Sequence, residues 1–308
     1  DCRPGSPYES VRQTLLKALE LGITSIDLAT GYGGGAVEIA VGKILREDLA
    51  GRRGELTLAT KAGWADGTAR TLTDSLDRSL TQLGVDHVDI YYHHAPDANT
   101  PFEVTAEAMG NLVRQGKTRF AGISNYSLEQ TTRMIAVMRA MRVPCVLHQA
   151  NYNMLNRWVE DGLLNEVESL GIGMAVFSAL NQGLLSGLSV GGTRQGSRAE
   201  KALSGMVSGV ATGEPAYGRY PEGADVRGHI LRMISDLQVI AMERGQSLEQ
   251  MAIAWLLSHP QVTTVLVGLS SPAQANTCAG ALLKPDFTQS ELERIAAILP
   301  PRPTVNCP

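Results

Sequence analysis

The chain has 308 residues, 44% of them apolar and 19% charged, with a formal net charge of −4 at pH 7. This composition supplies a globular core and no basic field, so nucleic acid and anionic membrane surfaces are not expected partners. No uninterrupted apolar run of about 18 residues and no signal-peptide pattern is present, which sets the expectation of a cytoplasmic protein that does not span a membrane. Although the length exceeds that of a usual domain, α/β barrels run past about 250 residues around one core, and residues 1–308 are expected to form a single domain. Four scattered cysteines, Cys2, Cys145, Cys278 and Cys307, lack metal-ligand or C-x-x-C spacing, so neither a metal site nor a disulfide scaffold is expected. Cys145, between Val143 and Leu147, reads as a small core residue.

In chain order, a helix opens with Ser6 as N-cap, Pro7 at its first position and Glu9 completing a capping box, and it closes at Gly22. Six short β-rich runs follow: Ile23–Leu28, Glu55–Thr60, His87–Tyr92, Thr118–Ile123, Cys145–Ala150 and Ile172–Phe177, with starts about 30 residues apart. Between them apolar residues fall at helical steps, as in Leu72, Leu76, Leu80 and Leu83. Strand and helix alternating at this interval predict a parallel sheet built of βαβ units. Leu188–Asp225, rich in Gly, Ser, Thr and Arg, shows no clear period and reads as a long loop. Helices over Arg227–Arg244 and Ser247–Ser258, a strand over Val262–Val267, a helix over Pro272–Leu283 and another over Ser290–Leu299 complete the chain.

The fold class predicted is α/β, a (β/α)8 TIM barrel. Seven strands are visible, and the eighth, the first in the barrel, is expected ahead of the Ser6 helix in a segment of roughly 20 residues or more outside these 308. A doubly wound open sheet is the alternative, but no G-x-G-x-x-G turn follows an early strand.

In such a barrel the active face lies at the carboxyl ends of the strands. Three consecutive strands end there in ionisable residues: Asp27 with Tyr32 five positions on, Lys61, and His94. Each alone is an ordinary strand-end residue; together they suit carbonyl reduction, which needs a hydride at carbon and a proton at oxygen. A phenol near pKa 10 becomes a usable acid beside a buried ammonium, so Tyr32 reads as proton donor and Lys61 as the charge that tunes it. Asp27 would hold Lys61, and His94 would orient the carbonyl oxygen. None of these groups carries a hydride, so a nicotinamide cofactor is implied.

Gly22-Ile23-Thr24-Ser25-Ile26-Asp27 with Tyr32, Ala59-Thr60-Lys61 and His94-Ala95-Pro96 resemble the tetrad motifs of the aldo-keto reductase family in order and spacing. The resemblance covers almost all of residues 8–298. Asn99-Thr100-Pro101 and Leu155-Asn156-Arg157-Trp158 are most similar to the branch holding bacterial glyceraldehyde-3-phosphate/methylglyoxal reductases and potassium-channel β subunits. It implies that Ser124, Asn125 and Gln149 hydrogen-bond the nicotinamide carboxamide. Phe177, Ser178 and Leu180, with Gln182, Gly183 and Leu184, would line the ribose and pyrophosphate, Arg198 would close over the phosphates, and Gly268, Ser270 and Gln274 would grip the adenosine end.

Three departures qualify this. Ser271 stands where relatives carry an arginine suited to a 2′-phosphate, so the cofactor is read as NADPH with NADH also open. Cys278 replaces an adenine-contacting asparagine, and Leu188 replaces a lysine. By strand alternation His93 points away from His94 and His148 reads as a packing residue. Gly33-Gly34-Gly35 looks like a phosphate cradle but more simply permits a turn after Tyr32. Trp64 reads either as a wall of the substrate pocket or as a loop anchor. The expected partner is a small-molecule aldehyde or ketone, and assembly into a homo-oligomer is left open. A redox-sensing module like the channel β subunits, and a barrel that has lost its nicotinamide, are the alternatives.

Overall fold

The computed structural model describes residues 8–62, 64, 66–187, 193, 195–212 and 224–300. Ser6, Pro7, Cys2, Cys307 and Leu188 lie outside them. Seven strands are present among the described residues: β1 Ser25–Asp27, β2 Thr57–Lys61, β3 Val88–His93, β4 Thr118–Ser124, β5 Cys145–Asn151, β6 Gly173–Phe177 and β7 Val262–Val265. Their order in the sheet follows the sequence, β1 through β7, and the recorded pairs are parallel. The helices are α1 Tyr8–Glu20, α2 Ala36–Glu47, α3 Ala69–Leu83, α4 Phe102–Arg114, α5 Leu128–Ala140, α6 Leu163–Ser169, α7 Arg198–Thr212, α8 Val226–Glu243, α9 Leu248–Leu257, α10 Pro272–Ala279 and α11 Gln289–Ile298. Strand and helix thus alternate as the sequence predicts.

The chain divides into two compact units, the described residues of Asp1–Gln149, Glu166–Gly173 and Gly268–Asn276 forming one, and those of Ala150–Asn165, Met174–Val267 and Thr277–Pro308 the other. In the first, β3 is buried at all six positions. Helices α2 and α3 approach backbone to backbone at Gly42, where a Cβ would lie 2.3 Å from the Gln82 carbonyl oxygen. At the amino ends of β2 and β3, Asp89 accepts the Leu58 amide at 2.8 Å and pairs with Arg53 at 2.8 Å and Arg119 at 3.3 Å. Burial opposes ionisation of this carboxyl, yet the Leu58 amide and the two guanidinium groups carry its pKa below the ordinary carboxylate value.

In the second unit, α9 is capped by a reciprocal Ser247 and Gln250 box and buries Met251, Ile253, Trp255 and Leu256. Tyr152 hydrogen-bonds Glu160 at 2.9 Å and His259 at 3.0 Å, and Arg157 grips both oxygens of Glu160 at 2.7 Å. The stretch read from sequence as a long loop contains α7. Ser197 begins it by accepting the Glu200 amide at 3.1 Å, and Leu203 and Met206, three residues apart, face inward. Intervening Ser204 and Gly205 are weak helix formers and masked this period in the sequence.

Candidate active site

Parallel register sets the site. Asp27 pairs with Ala59, and Lys61 with Tyr92, so Asp27, Lys61 and Tyr92 project from the same face of their strands. Beyond β1, Thr30 donates its hydroxyl to the Lys61 carbonyl at 2.6 Å, tying the following turn to the end of β2. Tyr32 opens that turn, and Gly33 and Gly34 continue it at φ 60° and 67°, where glycine carries no Cβ penalty. The Tyr32 side chain is 42% exposed.

The Lys61 side chain is fully buried, a placement an ammonium tolerates only with partners. It donates to Asp27 Oδ1 and to the Leu28 carbonyl, the latter at 2.7 Å. Its Nζ also lies 5.3 Å from the centroid of the Tyr32 ring and 5.8 Å from that of Tyr92. Tyr32 therefore meets Lys61 through its ring; the Lys61 hydrogen bonds go to Asp27 and Leu28. His94 Nδ1 is 3.3 Å from the Ala62 carbonyl, and its ring stands edge-on to Tyr32 at 6.5 Å and to exposed Trp64 at 4.9 Å. Burial, and then the Lys61 charge, lower its pKa below the ordinary histidine value.

Ser124, Asn125 and Gln149 belong to the same unit. Asn125 sits in the left-handed region at φ 60°, an unusual conformation for a residue with a side chain. It donates to the His94 carbonyl at 2.9 Å and to Ser124 Oγ at 3.1 Å. Gln149 Nε2 donates to Asp27 Oδ2 at 2.9 Å, giving that carboxylate a second partner. Gly268 and Ser270 are exposed, and Gln274 Oε1 accepts from the Ser270 amide at 2.7 Å and its hydroxyl at 2.9 Å. Ser271 Oγ accepts the Gln274 amide at 3.3 Å at the start of α10.

In the second unit, Phe177 ends β6 with Ser178 directly after it, and a 3-10 turn over Asn181–Gly183 follows Leu180. Ser178, Asn181 and Gln182 all have positive φ, at 58°, 43° and 57°. Leu184 is buried, Gln182 is exposed, and Arg198 is exposed at the first position of α7. Cys278 is buried, and burial, with Glu249 nearby, pushes its thiol up to about 11. Cys145, in the first unit, is partly buried, its thiol pushed up to about 12 by burial.

His93 turns away from His94, its Nδ1 2.6 Å from the Tyr126 hydroxyl. His148 Nε2 accepts the Tyr126 amide at 3.3 Å. Tyr92 is marked by no motif in the sequence; its ring fills the space left by Gly122, the register partner that lacks a side chain.

A parallel α/β sheet whose consecutive strand ends gather a buried lysine, a carboxylate, a tyrosine and a histidine defines a class of barrel oxidoreductases. The chain belongs to the aldo-keto reductase family: the family model "Aldo/keto reductase family" matches residues 4–300. Its fold is the (β/α)8 TIM barrel of that family, with seven strands among the described residues, and it is an NAD(P)H-dependent oxidoreductase that reduces aldehydes or ketones. It is 39% identical over 306 residues to L-glyceraldehyde 3-phosphate reductase of Escherichia coli K12, covering 93% of this chain and 83% of that protein. It is 31% identical over 304 residues to a probable voltage-gated potassium channel subunit beta of Oryza sativa, covering 94% and 88%. Among solved structures, a thermostable aldo-keto reductase in complex with the inhibitor epalrestat matches with a TM-score of 0.73 at 25% identity, covering 96% of this chain and 89% of that one. The glycerol dehydrogenase of Gluconobacter oxydans shares the fold, with a TM-score of 0.76 at 23% identity, covering 96% and 86%. Among the described residues no helix is long and apolar enough to cross a membrane.

Proposed function

We propose that Tyr32 is the general acid of carbonyl reduction, that Lys61 favours loss of its proton, that Asp27 keeps Lys61 charged and in place, and that His94 orients the carbonyl oxygen. The observation that carries this reading is the fully buried Lys61 ammonium, paired with Asp27 and lying against the Tyr32 ring. An ammonium in so dry a setting acts on a neighbouring phenol far more strongly than it would in water. Tyr32, exposed at the rim, is open to a substrate.

The side chains fit a nicotinamide carboxamide. With Asn125 Nδ2 and Gln149 Nε2 already donating within the protein, and the Gln149 side chain also hydrogen-bonded to Tyr92, the Asn125 Oδ1 and the Ser124 hydroxyl hydrogen are left over. An acceptor and a donor complement the N–H and C=O groups of a primary amide. The bound cofactor supplies the hydride. Phe177, Ser178, Leu180, Gln182, Gly183, Leu184 and Arg198 are assigned to its ribose and phosphates, and Gly268, Ser270 and Gln274 to its adenosine. Positive φ at Ser178 and Gln182 supports the assignment, because such strain gathers at ligand-binding turns.

Ser271 spends its hydroxyl capping α10, so at that position no cation faces a 2′-phosphate. Lys284, a candidate to replace it, donates to the Arg244 carbonyl at 2.9 Å. We therefore assign NADPH as cofactor with NADH accepted nearly as well. Short hydroxylated aldehydes, glyceraldehyde 3-phosphate among them, head the substrate panel. Stopped-flow oxidation of bound reduced cofactor by such a panel tests the reading. Wild-type protein should oxidise it with at least one carbonyl and Tyr32→Phe should not; failure with every carbonyl would favour a redox-sensing module.

A further inference from the structure

The Lys61 ammonium meets two tyrosine rings, and only one belongs to the proposed chemistry. Tyr32 is at the rim, whereas Tyr92 is 2% exposed in the middle of the sheet. Burial, and then the Asp27 charge, push the Tyr92 phenol far above its ordinary pKa, so it does not exchange protons in any working range. Its ring centroid is 5.8 Å from Lys61 Nζ, inside the roughly 6 Å over which a ring face attracts a cation. Gly122 makes the arrangement possible. It pairs in register with Tyr92, and a Cβ there would lie 2.4 Å from Tyr92 Cδ1 and 2.5 Å from Cε1. Any other residue at 122 would displace the ring.

We propose that Tyr92 is a positioning residue for the Lys61 ammonium. Its ring face, seated on Gly122, steadies the charged form of Lys61 and holds it toward Tyr32. The groups that face Lys61 are then Asp27 and the Leu28 carbonyl from β1, Tyr32 from the following turn, Tyr92 from β3 and His94 just beyond it. Asp27 compensates the charge on one side, and the quadrupole of the Tyr92 ring supplies negative potential on another without adding a titrating group. This rests on the reading of Tyr32 as the acid.

The test is a pH titration of the Tyr32 phenol in the full chain by ultraviolet difference absorbance, isolated by subtracting the Tyr32→Phe protein. Tyr92→Phe keeps the ring and loses only the hydroxyl that meets Gln149, so its Tyr32 titration should track wild type. Tyr92→Leu removes the ring, so Tyr32 should ionise at higher pH and kcat at neutral pH should fall roughly three- to tenfold with KM for the carbonyl little changed. Gly122→Ala should move both readouts the same way. If Tyr92→Leu does not fold, fluorinated phenylalanines at 92 keep the shape while draining the ring face, and the Tyr32 ionisation should climb with each added fluorine. An unmoved Tyr32 titration in folded Tyr92→Leu or across the fluorinated series overturns the proposal. So does a Tyr92→Phe protein as impaired as Tyr92→Leu, which would give the role to the hydroxyl. Failure of the underlying reading shows separately, as wild-type turnover by Tyr32→Phe whatever stands at 92.

Discussion

Gln149 and Asp27, 122 positions apart in sequence, are joined by a 2.9 Å hydrogen bond from Nε2 to Oδ2. Lys61 occupies the other carboxylate oxygen, so Asp27 is shared between the proposed catalytic cation and a proposed cofactor ligand. Gln149→Leu should therefore do two things. It leaves a partly buried carboxylate oxygen short of a donor, at a cost of about 1–3 kcal/mol read as a lower melting temperature. It should also weaken reduced-cofactor binding in a fluorescence titration. A variant with unchanged melting and unchanged affinity would show that the bond is incidental.

Tyr32→Phe should lower kcat by about 10²- to 10⁴-fold, the scale of a lost general acid, while the dissociation constant of the cofactor stays within a factor of about two. Because burial and Lys61 hold His94 below the ordinary histidine range, any ionisation in the pH profile of kcat above neutrality should vanish with Tyr32 and persist in His94→Asn. A profile insensitive to Tyr32 would remove it from the acid role.

Ser271→Arg should tighten NADPH by about 1–3 kcal/mol and leave NADH nearly unchanged. The same change removes the cap from α10, and helix stability should fall by about 0.5–2 kcal/mol. Parallel titrations with the two cofactors, together with a thermal melt, separate the effects. A strong NADPH preference in the unmodified protein would contradict the cofactor assignment.

Acid stability should depend on His93 and His148. Burial lowers His93 to about 4 and His148 to about 3, and both are neutral in the folded protein near pH 7. The unfolded chain binds a proton at each near pH 6.5. Folding is therefore favoured above that value, and the contribution is lost as pH falls from about 6.5 toward the folded values. His148→Gln should flatten the urea-unfolding free energy between pH 7 and 4 by about 2–4 kcal/mol. An unchanged slope would place the acid sensitivity elsewhere.

Asp89→Asn should cost about 3 kcal/mol or more in the same assay, because Arg53 keeps a partly buried charge that loses its partner. Turnover per folded molecule should be unchanged, since Asp89 sits at the amino ends of the strands, opposite Lys61. A catalytic defect without a stability defect would reverse that division.

Much of this was legible in the sequence because the causes are local. Apolar runs such as Val88–Tyr92 and the steps of Leu72, Leu76 and Leu83 mark a strand and a helix whatever surrounds them. Lys61 and His94 were visible as polar residues ending apolar strands. Helix α7 was not, since Ser204 and Gly205 separate Leu203 from Met206 and only packing reveals the buried side. The Gln149 to Asp27 bond and the Tyr92 ring over Gly122 depend on register between distant strands, and no spacing along the chain encodes them. That Lys61 meets the ring of Tyr32 while its hydrogen bonds go to Asp27 and Leu28 likewise depends on how separate segments come together.

Asn125 holds a left-handed backbone with a full side chain, and such a residue stores on the order of 1–3 kcal/mol that glycine would release. Asn125→Gly thus pulls two selections apart. The backbone relaxes, but the amide that supports the His94 carbonyl and the proposed carboxamide site is gone. A screen of variants scored only on heat resistance would read the sum of the relaxed backbone and the lost hydrogen bonds and would not see the damage to the carboxamide site.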